Sequence, residues 1–120
     1  MVIKCGIVED EPLAEKVLRK YINTVSFLEI SWTCNYAEEA IELVKNKKVH
    51  LLFLDLQEIP VKKDSAFSHL IDNYKHIIIL SAYSQKMLNT KLDVLGFLNK
   101  PISFESFVEV IETFLHNFNE

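Results

Sequence analysis

The feature that most constrains the fold of this 120-residue chain is a hydrophobic run that ends in a carboxylate. Residues 51–54 are uninterrupted hydrophobics, and Asp55 follows them directly. Such a run is typical of a strand buried on both faces of a parallel sheet. In open α/β sheets, ligands bind at the carboxyl ends of the strands. Asp55 is therefore the first candidate functional residue.

Other hydrophobic runs of strand length alternate with segments that have helical spacing. The predicted strands are residues 3–8, 27–34, 51–54, 76–80 and 96–98. The first predicted helix comprises residues 13–22 and follows Pro12, and the second begins at Asn35 and ends with residues 45–48. The third comprises residues 65–74, and the fourth runs from Ser84 or Gln85 to about Leu92. The fifth begins at Phe104, with Ser103 as its cap. This alternation predicts an α/β fold, a five-stranded parallel sheet with helices on both faces. Five pairs in this length favour the flavodoxin-like strand order 2-1-3-4-5.

The hydrophobic spacing also predicts which side of each terminal helix faces the core. For the first helix the stripe comprises Leu13, Ala14, Val17, Leu18, Tyr21 and Ile22. For the last helix it comprises Phe107, Val108, Ile111, Phe114 and Leu115.

The overall charge limits the partners of this segment. The formal net charge is -4 and the sequence pI is near 5.6, which argues against non-specific binding to nucleic acid or anionic membranes. No apolar run reaches the length of a membrane span, and the amino terminus does not resemble a signal peptide, so we expect a cytoplasmic chain. Cys5 and Cys34 are expected to be reduced core residues.

Acidic residues follow two of the predicted strands. Glu9 and Asp10 follow the first strand, and Asp55 follows the third. In the predicted strand order these two strands are neighbours, so the three carboxylates should share one crevice. Two carboxylates about 4 Å apart repel by roughly 1 to 4 kcal/mol, so a cation is needed to offset them. Oxygen-only ligands predict a hard divalent ion, Mg²⁺ in the first instance.

Two further polar residues complete this edge of the predicted sheet. Ser81 follows the fourth strand and offers a hydroxyl donor, and Lys100 follows the fifth and offers a mobile positive charge. A carboxylate nucleophile, a metal, a lysine and a hydroxyl together suit phosphoryl transfer to an aspartate. Charge neutralisation and positioning would supply most of the rate enhancement.

Four short motifs in order resemble the response-regulator receiver domain of two-component signalling, the CheY-like superfamily. They are Val-Glu-Asp-Glu-Pro at 8–12, Phe-Leu-Asp at 53–55, Ser-Ala-Tyr at 81–83 and Asn-Lys-Pro at 99–101. The Glu-Asp-Glu-Pro-Leu-Ala sequence at 9–14, Ala-Tyr at 82–83 and the stretch 92–98 are similar to receivers joined to LytTR- or AlgR-type DNA-binding domains. The resemblance covers residues 1–120 as one receiver domain. It implies that a C-terminal output domain is not present in this chain. It also implies a phosphoacceptor signalling domain, limited to self-phosphotransfer and autodephosphorylation, and not an enzyme.

The resemblance implies roles for the residues around the acidic crevice. Asp55 would accept the phosphoryl group. Asp10 would bind Mg²⁺ directly, Glu9 mainly through water, and the backbone carbonyl of Gln57 would be the third protein ligand. The side chains of Gln57 and Tyr83 would tune dephosphorylation by controlling access of water.

The resemblance also implies a conformational switch. Ser81 and Lys100 would each take a phosphoryl oxygen, Lys100–Pro101 would be a cis peptide, and Phe97 matches the aromatic switch position. Core packing is an equally simple explanation for Phe97. A sensor histidine kinase would be the donor, and a homodimer could form through the fourth helix, fifth strand and fifth helix.

The loop after Asp55 departs from the family pattern. The family has a proline four residues after the acceptor and then a glycine, whereas here Pro60 comes five residues after and the segment before the next helix has no glycine. Asp64 could replace that glycine, because aspartate tolerates positive φ better than most residues. Alternatively the loop takes another path and the third helix is shortened.

Three other functions are alternatives, and the sequence argues against the last two of them. A degenerate receiver would bind partners without phosphorylation. A haloacid-dehalogenase-like phosphatase would need a second aspartate where Gln57 stands. A flavodoxin-type nucleotide binder would need a phosphate-cradling first loop, and the acids of residues 9–11 would repel a phosphate.

Overall fold

The computed structural model describes residues 1–83 and 92–118. The elements are β1 (Ile3–Val8), α1 (Pro12–Thr24), β2 (Leu28–Cys34), α2 (Ala37–Asn46), β3 (Leu51–Asp55), α3 (Ala66–Asn73), β4 (Ile77–Ser81), β5 (Gly96–Asn99) and α4 (Phe104–Asn117). The predicted fourth helix lies outside the described residues apart from Leu92. The element α4 therefore corresponds to the fifth predicted helix.

The five strands form one parallel sheet in the order β2-β1-β3-β4-β5, which confirms the predicted fold class. Strand β3 lies at the centre, where Leu54 pairs with Val8 of β1 and Asp55 pairs with Leu80 of β4. Ser81 pairs with Asn99 of β5. Because all strands run the same way, the residues that follow them meet at one edge of the sheet.

Strand β3 is buried on both faces, as its uninterrupted hydrophobic pattern predicts. Phe53 belongs to the core cluster that contains Ile22 of α1 and Phe107 of α4. Leu52 and Leu54 point to the other face and belong to the cluster of α2 and α3. Burial of a leucine or phenylalanine side chain contributes roughly 1.5 to 3 kcal/mol, so these two clusters hold the central strand in register.

Side-chain caps explain where two of the helices begin. Ser103 caps α4, where its Oγ accepts the Ser106 N–H at 3.1 Å, as predicted. Ser65 caps α3 in the same way, through the Ser68 N–H at 3.1 Å. A serine cap of this kind is worth about 1 kcal/mol.

The predicted start of the second helix is wrong by one residue. The cap of α2 is Tyr36 and not Asn35, and the Tyr36 N–H donates to Glu39 Oε1 at 3.2 Å. The acid that reaches back to the cap is therefore Glu39, three residues after Tyr36, and not Glu38, three residues after Asn35. Two adjacent glutamates fit the same spacing rule, so the sequence alone does not distinguish the two starts.

Two predicted core residues are exposed to solvent, Leu13 at 76% and Leu115 at 42%. The half-buried members of the two predicted stripes are Ala14, Val17, Tyr21 and Val108. At about 100° per residue, Leu13 lies far around α1 from the buried Leu18. Leu115 and Val108 lie at the margin of the α4 stripe for the same geometric reason.

The loop of residues 56–65 turns without a glycine. Asp64 has φ 65°, a left-handed conformation, so it takes the place of the glycine as considered above. The Ser65 N–H and the Ser68 hydroxyl both donate to the Lys62 carbonyl oxygen, at 3.3 and 2.8 Å. The peptide bonds before Pro60 and Pro101 are both cis.

Both cysteines are free thiols. Cys5 is fully buried, and burial raises the pKa of its thiol to about 12. Cys34 is half-buried, and burial likewise raises the pKa of its thiol to about 11. Within residues 1–83 and 92–118, no helix has the length and hydrophobicity needed to cross a membrane.

Gly6 of β1 lies directly beneath the indole ring of Trp32. A Cβ atom at position 6 would lie 2.7 Å from Cζ2 of Trp32, closer than such atoms approach in proteins. We expect Gly6→Ala to lower the free energy of unfolding by about 1 to 3 kcal/mol through overpacking. Urea denaturation followed by circular dichroism measures this loss.

The other glycine of the chain provides the control. A Cβ at Gly96 would meet Cγ1 of Val110 at 3.4 Å, which is ordinary contact. Gly96→Ala should therefore leave the stability within about 1 kcal/mol of the wild type. Equal losses in the two variants would contradict the packing described for Gly6.

Candidate functional site

Three carboxylates converge where β1 and β3 end. Glu9 and Asp10 follow β1, Asp55 ends β3, and one oxygen from each lies within 4.8 Å of the other two. Glu9 is 2% exposed and Asp55 is 6% exposed, whereas Asp10 faces solvent. The Glu11 N–H donates to Glu9 Oε2 at 3.0 Å and orients that carboxylate. The sequence prediction of one shared crevice is confirmed.

Lys100 reaches this cluster from the end of β5. Its Nζ lies 2.5 Å from Glu9 Oε1 and 2.9 Å from Asp55 Oδ1. Glu11 Oε1 lies 3.8 Å from the same ammonium group. The lysine therefore bridges two buried acids, and a third acid lies at the edge of its reach.

The protonation behaviour of these groups reflects their burial. Burial raises the pKa of Asp55, and the hydrogen bond and charge of Lys100 offset only part of that effect. Burial likewise raises the pKa of Glu9, again against the hydrogen bond from Lys100. For Lys100, burial alone would lower the pKa, but the bonds to Glu9 and Asp55 outweigh it and the pKa is raised. Both acids and the lysine therefore hold their protons more firmly than the same groups do in water.

The donor set fits a hard divalent cation. Only oxygen ligands are offered, which is the preference of Mg²⁺ and Ca²⁺. With all four groups charged, three carboxylates and one ammonium give -3 + 1 = -2, and one divalent cation balances that charge. Glu9, Asp10 and Asp55 are the residues that would hold it.

Two hydrogen bonds hold the side chain of Gln57, which lies two residues after Asp55. Its Nε2 donates to the Asn35 carbonyl at 2.6 Å and more weakly to Asp10 Oδ1 at 3.4 Å. The side chain thus connects the end of β3 to the loop before α2. The contact joins residues 22 positions apart, so no local sequence pattern predicts it.

Ser81, Tyr83 and Phe97 lie farther along the sheet. Ser81 is 2% exposed, and its Oγ accepts the Tyr83 N–H at 2.9 Å. The Tyr83 side chain is 47% exposed beside this turn. Phe97 is half-buried against the core cluster of α2 and α3. That packing is the simple alternative to a switch role for Phe97.

Two residues that contact the predicted site residues, Glu11 and Asn99, have no role in the sequence prediction. Glu11 belongs to the acidic run and Asn99 to the Asn-Lys-Pro motif, and neither pattern indicates the contact that the residue makes. The repeated acids and the polar residue beside Lys100 were the available signals. Their contacts depend on side-chain directions, which the sequence pattern does not specify.

The sequence matches the family model described as "Response regulator receiver domain" over residues 6–112. This chain is a member of the response regulator receiver domain family. The receiver is 31% identical over 102 residues to the transcriptional regulatory protein BtsR of Escherichia coli strain K12, covering 83% of this chain and 43% of BtsR. It is 26% identical over 118 residues to the sensory transduction protein LytT of Bacillus anthracis, covering 93% of this chain and 47% of LytT. The chain thus spans less than half the length of these curated relatives.

Solved structures agree with the fold of this receiver. The response regulatory domain of mrkE from Klebsiella pneumoniae superposes with a TM-score of 0.75 at 23% identity, covering 96% of this chain and 97% of that one. The non-phosphorylated receiver domain of RcsB from Escherichia coli superposes with a TM-score of 0.81 at 13% identity, covering 98% and 95%. Receiver domains are phosphoacceptor signalling domains and not classical enzymes.

The charge of Asp55 should destabilise the receiver when no divalent cation is bound. Asp55→Asn removes one charge from the cluster but keeps an oxygen that accepts from Lys100. We expect the variant to be more stable at neutral pH in a chelator, by about 1 kcal/mol, the lower end of the repulsion between neighbouring carboxylates. Urea denaturation gives this difference.

The pH dependence has a definite sign. Folding raises the pKa of Asp55, so the native state holds this proton more tightly than the unfolded chain does. The wild type therefore gains stability from this group as pH falls through the raised pKa. The difference in free energy of unfolding between Asp55→Asn and the wild type should narrow over the same pH range. Asp93→Asn, an exposed change, is the control. A less stable Asp55→Asn at neutral pH would mean that the Lys100 ion pair outweighs burial.

Proposed function

We propose that this receiver accepts a phosphoryl group on Asp55 from the phosphohistidine of a sensor histidine kinase. The observation that carries the proposal is the contact of Lys100 with buried Asp55, at 2.9 Å, inside a cluster of three carboxylates. A carboxylate so placed is a nucleophile with a cation on one side. Such an arrangement suits phosphoryl transfer, where positioning and charge neutralisation dominate.

The transfer needs one bond to form and one to break. An Asp55 Oδ attacks phosphorus, the bond between phosphorus and the histidine nitrogen breaks, and its electron pair stays on the imidazole. The product is an aspartyl phosphate. When bound, Mg²⁺ would neutralise charge on the phosphoryl oxygens. Lys100 and the Ser81 hydroxyl would each contact one of those oxygens, on the side of the sheet toward β4 and β5.

These two contacts would supply the free energy of switching. Moving a population from 1:99 to 99:1 takes roughly 5.5 kcal/mol of differential stabilisation. Hydrogen bonds to charged groups are worth about 1.5 to 3 kcal/mol each, so two of them reach that range only at the upper end. Partial switching would therefore follow in the monomer, and a homodimer through a face that includes β5 and α4 would add to it.

The output of the switch would lie outside this chain. BtsR is named a transcriptional regulatory protein, and the chain covers only 43% of it. We infer that residues 1–120 are the receiver of a longer cytoplasmic regulator, with a LytTR-type DNA-binding domain as its output. The receiver itself has an acidic balance, with a formal net charge of -4, so it would act on DNA only through that domain.

A phosphorylation-independent interaction module is the second candidate. It is favoured by the unusual loop after Asp55, where Asp64 is left-handed and Pro60 comes five residues after the acceptor. The loop could hold a partner surface without any chemistry. The complete acidic cluster with its lysine is the reason that we favour phosphorylation.

Intact-mass spectrometry distinguishes the two candidates. After incubation with acetyl phosphate, we expect a single phosphoryl adduct on the wild type that requires Mg²⁺ and is absent from Asp55→Asn. Asp93→Asn, which alters an exposed acid away from the cluster, should form the adduct normally. An adduct that persists in Asp55→Asn would refute the assignment of the acceptor. A folded wild type without any adduct would favour the interaction module.

A further inference from the structure

Asn99 makes a specific contact that the proposed chemistry does not use. It is the last residue of β5, directly before Lys100, and it is exposed. Its Nδ2 donates to the Tyr83 carbonyl oxygen at 2.9 Å, across 16 positions of sequence. A carbonyl oxygen only accepts, so the amide nitrogen of Asn99 must face it.

The other polar group of the Tyr83 backbone is also engaged. The Tyr83 N–H donates to Ser81 Oγ at 2.9 Å, so residues 81–83 form a turn closed by the serine side chain. Tyr83 is thus held on one side by Ser81 and on the other by Asn99. The Lys100 N–H donates to the Ser81 carbonyl oxygen at 2.8 Å and joins the same two strand ends.

This arrangement determines where the Ser81 hydroxyl can donate. A serine hydroxyl has one hydrogen to donate and can accept on its lone pairs. With one lone pair taken by the Tyr83 N–H, the hydroxyl hydrogen is directed away from the turn. Ser81 lies one residue beyond Leu80, the partner of Asp55 in the sheet. The direction of the hydroxyl therefore depends on a turn that Asn99 anchors.

We propose that Asn99 is a positioning residue that anchors the Ser81–Tyr83 turn and so presents the Ser81 hydroxyl to a phosphoryl group on Asp55. The proposal rests on the proposed function, because it assumes that Asp55 carries the group. Asn99 acts through Tyr83 and Ser81, and it touches none of the three carboxylates in the contacts described above. Its loss should weaken binding of the phosphoryl group and leave the affinity for Mg²⁺ unchanged.

The test uses beryllofluoride, which mimics a phosphoryl group on an aspartate. Its dissociation constant is measured by fluorine NMR at saturating Mg²⁺, and that of Mg²⁺ alone by calorimetry. Asn99→Leu keeps the branching but has no donor. We expect beryllofluoride to bind about three- to tenfold more weakly, the effect of one hydrogen bond, with Mg²⁺ affinity unaltered. Asn99→Gln, which retains an amide donor, should recover part of the loss.

A double-mutant cycle with Ser81→Ala separates positioning from a general structural effect. If Asn99 acts through the Ser81 hydroxyl, Asn99→Leu has no further effect on beryllofluoride binding in the Ser81→Ala background. Additive losses, unchanged affinity or tighter binding in Asn99→Leu would each overturn the proposal.

An exposed asparagine elsewhere supplies the matched control. Asn73 at the end of α3 also donates to a backbone carbonyl, that of His69 at 2.8 Å. Asn73→Leu should bind beryllofluoride as the wild type does, and a loss equal to that of Asn99→Leu would contradict the role of the turn. A wild type that binds Mg²⁺ but no beryllofluoride would refute the proposed function, and this inference would fall with it.

Discussion

The close approach of three carboxylates at one edge of the sheet is the constraint on which the site depends. Oxygens of Glu9, Asp10 and Asp55 lie within 4.8 Å of one another, and two of the three side chains are buried. Burial disfavours the charged forms of Glu9 and Asp55, and repulsion from a neighbouring carboxylate adds to that effect. Lys100 supplies one positive charge and a divalent cation would supply the rest. Strongly perturbed acids that share one crevice are typical of a functional site.

The rest of the fold holds that edge in place. Phe53 on one face and Leu52 and Leu54 on the other bury β3 between two clusters, which fixes where Asp55 leaves the core. The hydrophobic run of residues 51–54 predicted that β3 is buried and that Asp55 lies at its end. The strand order and the convergence of the acids were also predictable from the sequence. Hydrophobic pattern and chain alternation determine these features, because burial dominates the energy of a central strand.

The remaining features depend on small free-energy differences and on contacts between residues distant in sequence, which the hydrophobic pattern does not predict. The choice of Tyr36 over Asn35 as a cap, and of Glu39 over Glu38 as its partner, involves contacts worth about 1 kcal/mol. The side chain of Gln57 and that of Asn99 find backbone carbonyls more than fifteen residues away in sequence, which no local rule anticipates. Asp64 was a plausible substitute for glycine, but only its φ of 65° identifies it as one.

Calorimetric titration with Mg²⁺ tests most directly whether the clustered charges form a cation site. We expect one Mg²⁺ to bind per wild-type chain, and binding to be at least about tenfold weaker in Asp10→Asn, because Asp10 would supply a direct carboxylate ligand and a negative charge. Affinity should also fall as pH is lowered, because protons compete at Asp55 and Glu9, whose pKa values are raised. Equal Mg²⁺ binding in the wild type and Asp10→Asn, or none in either, would show that these carboxylates do not form the cation site.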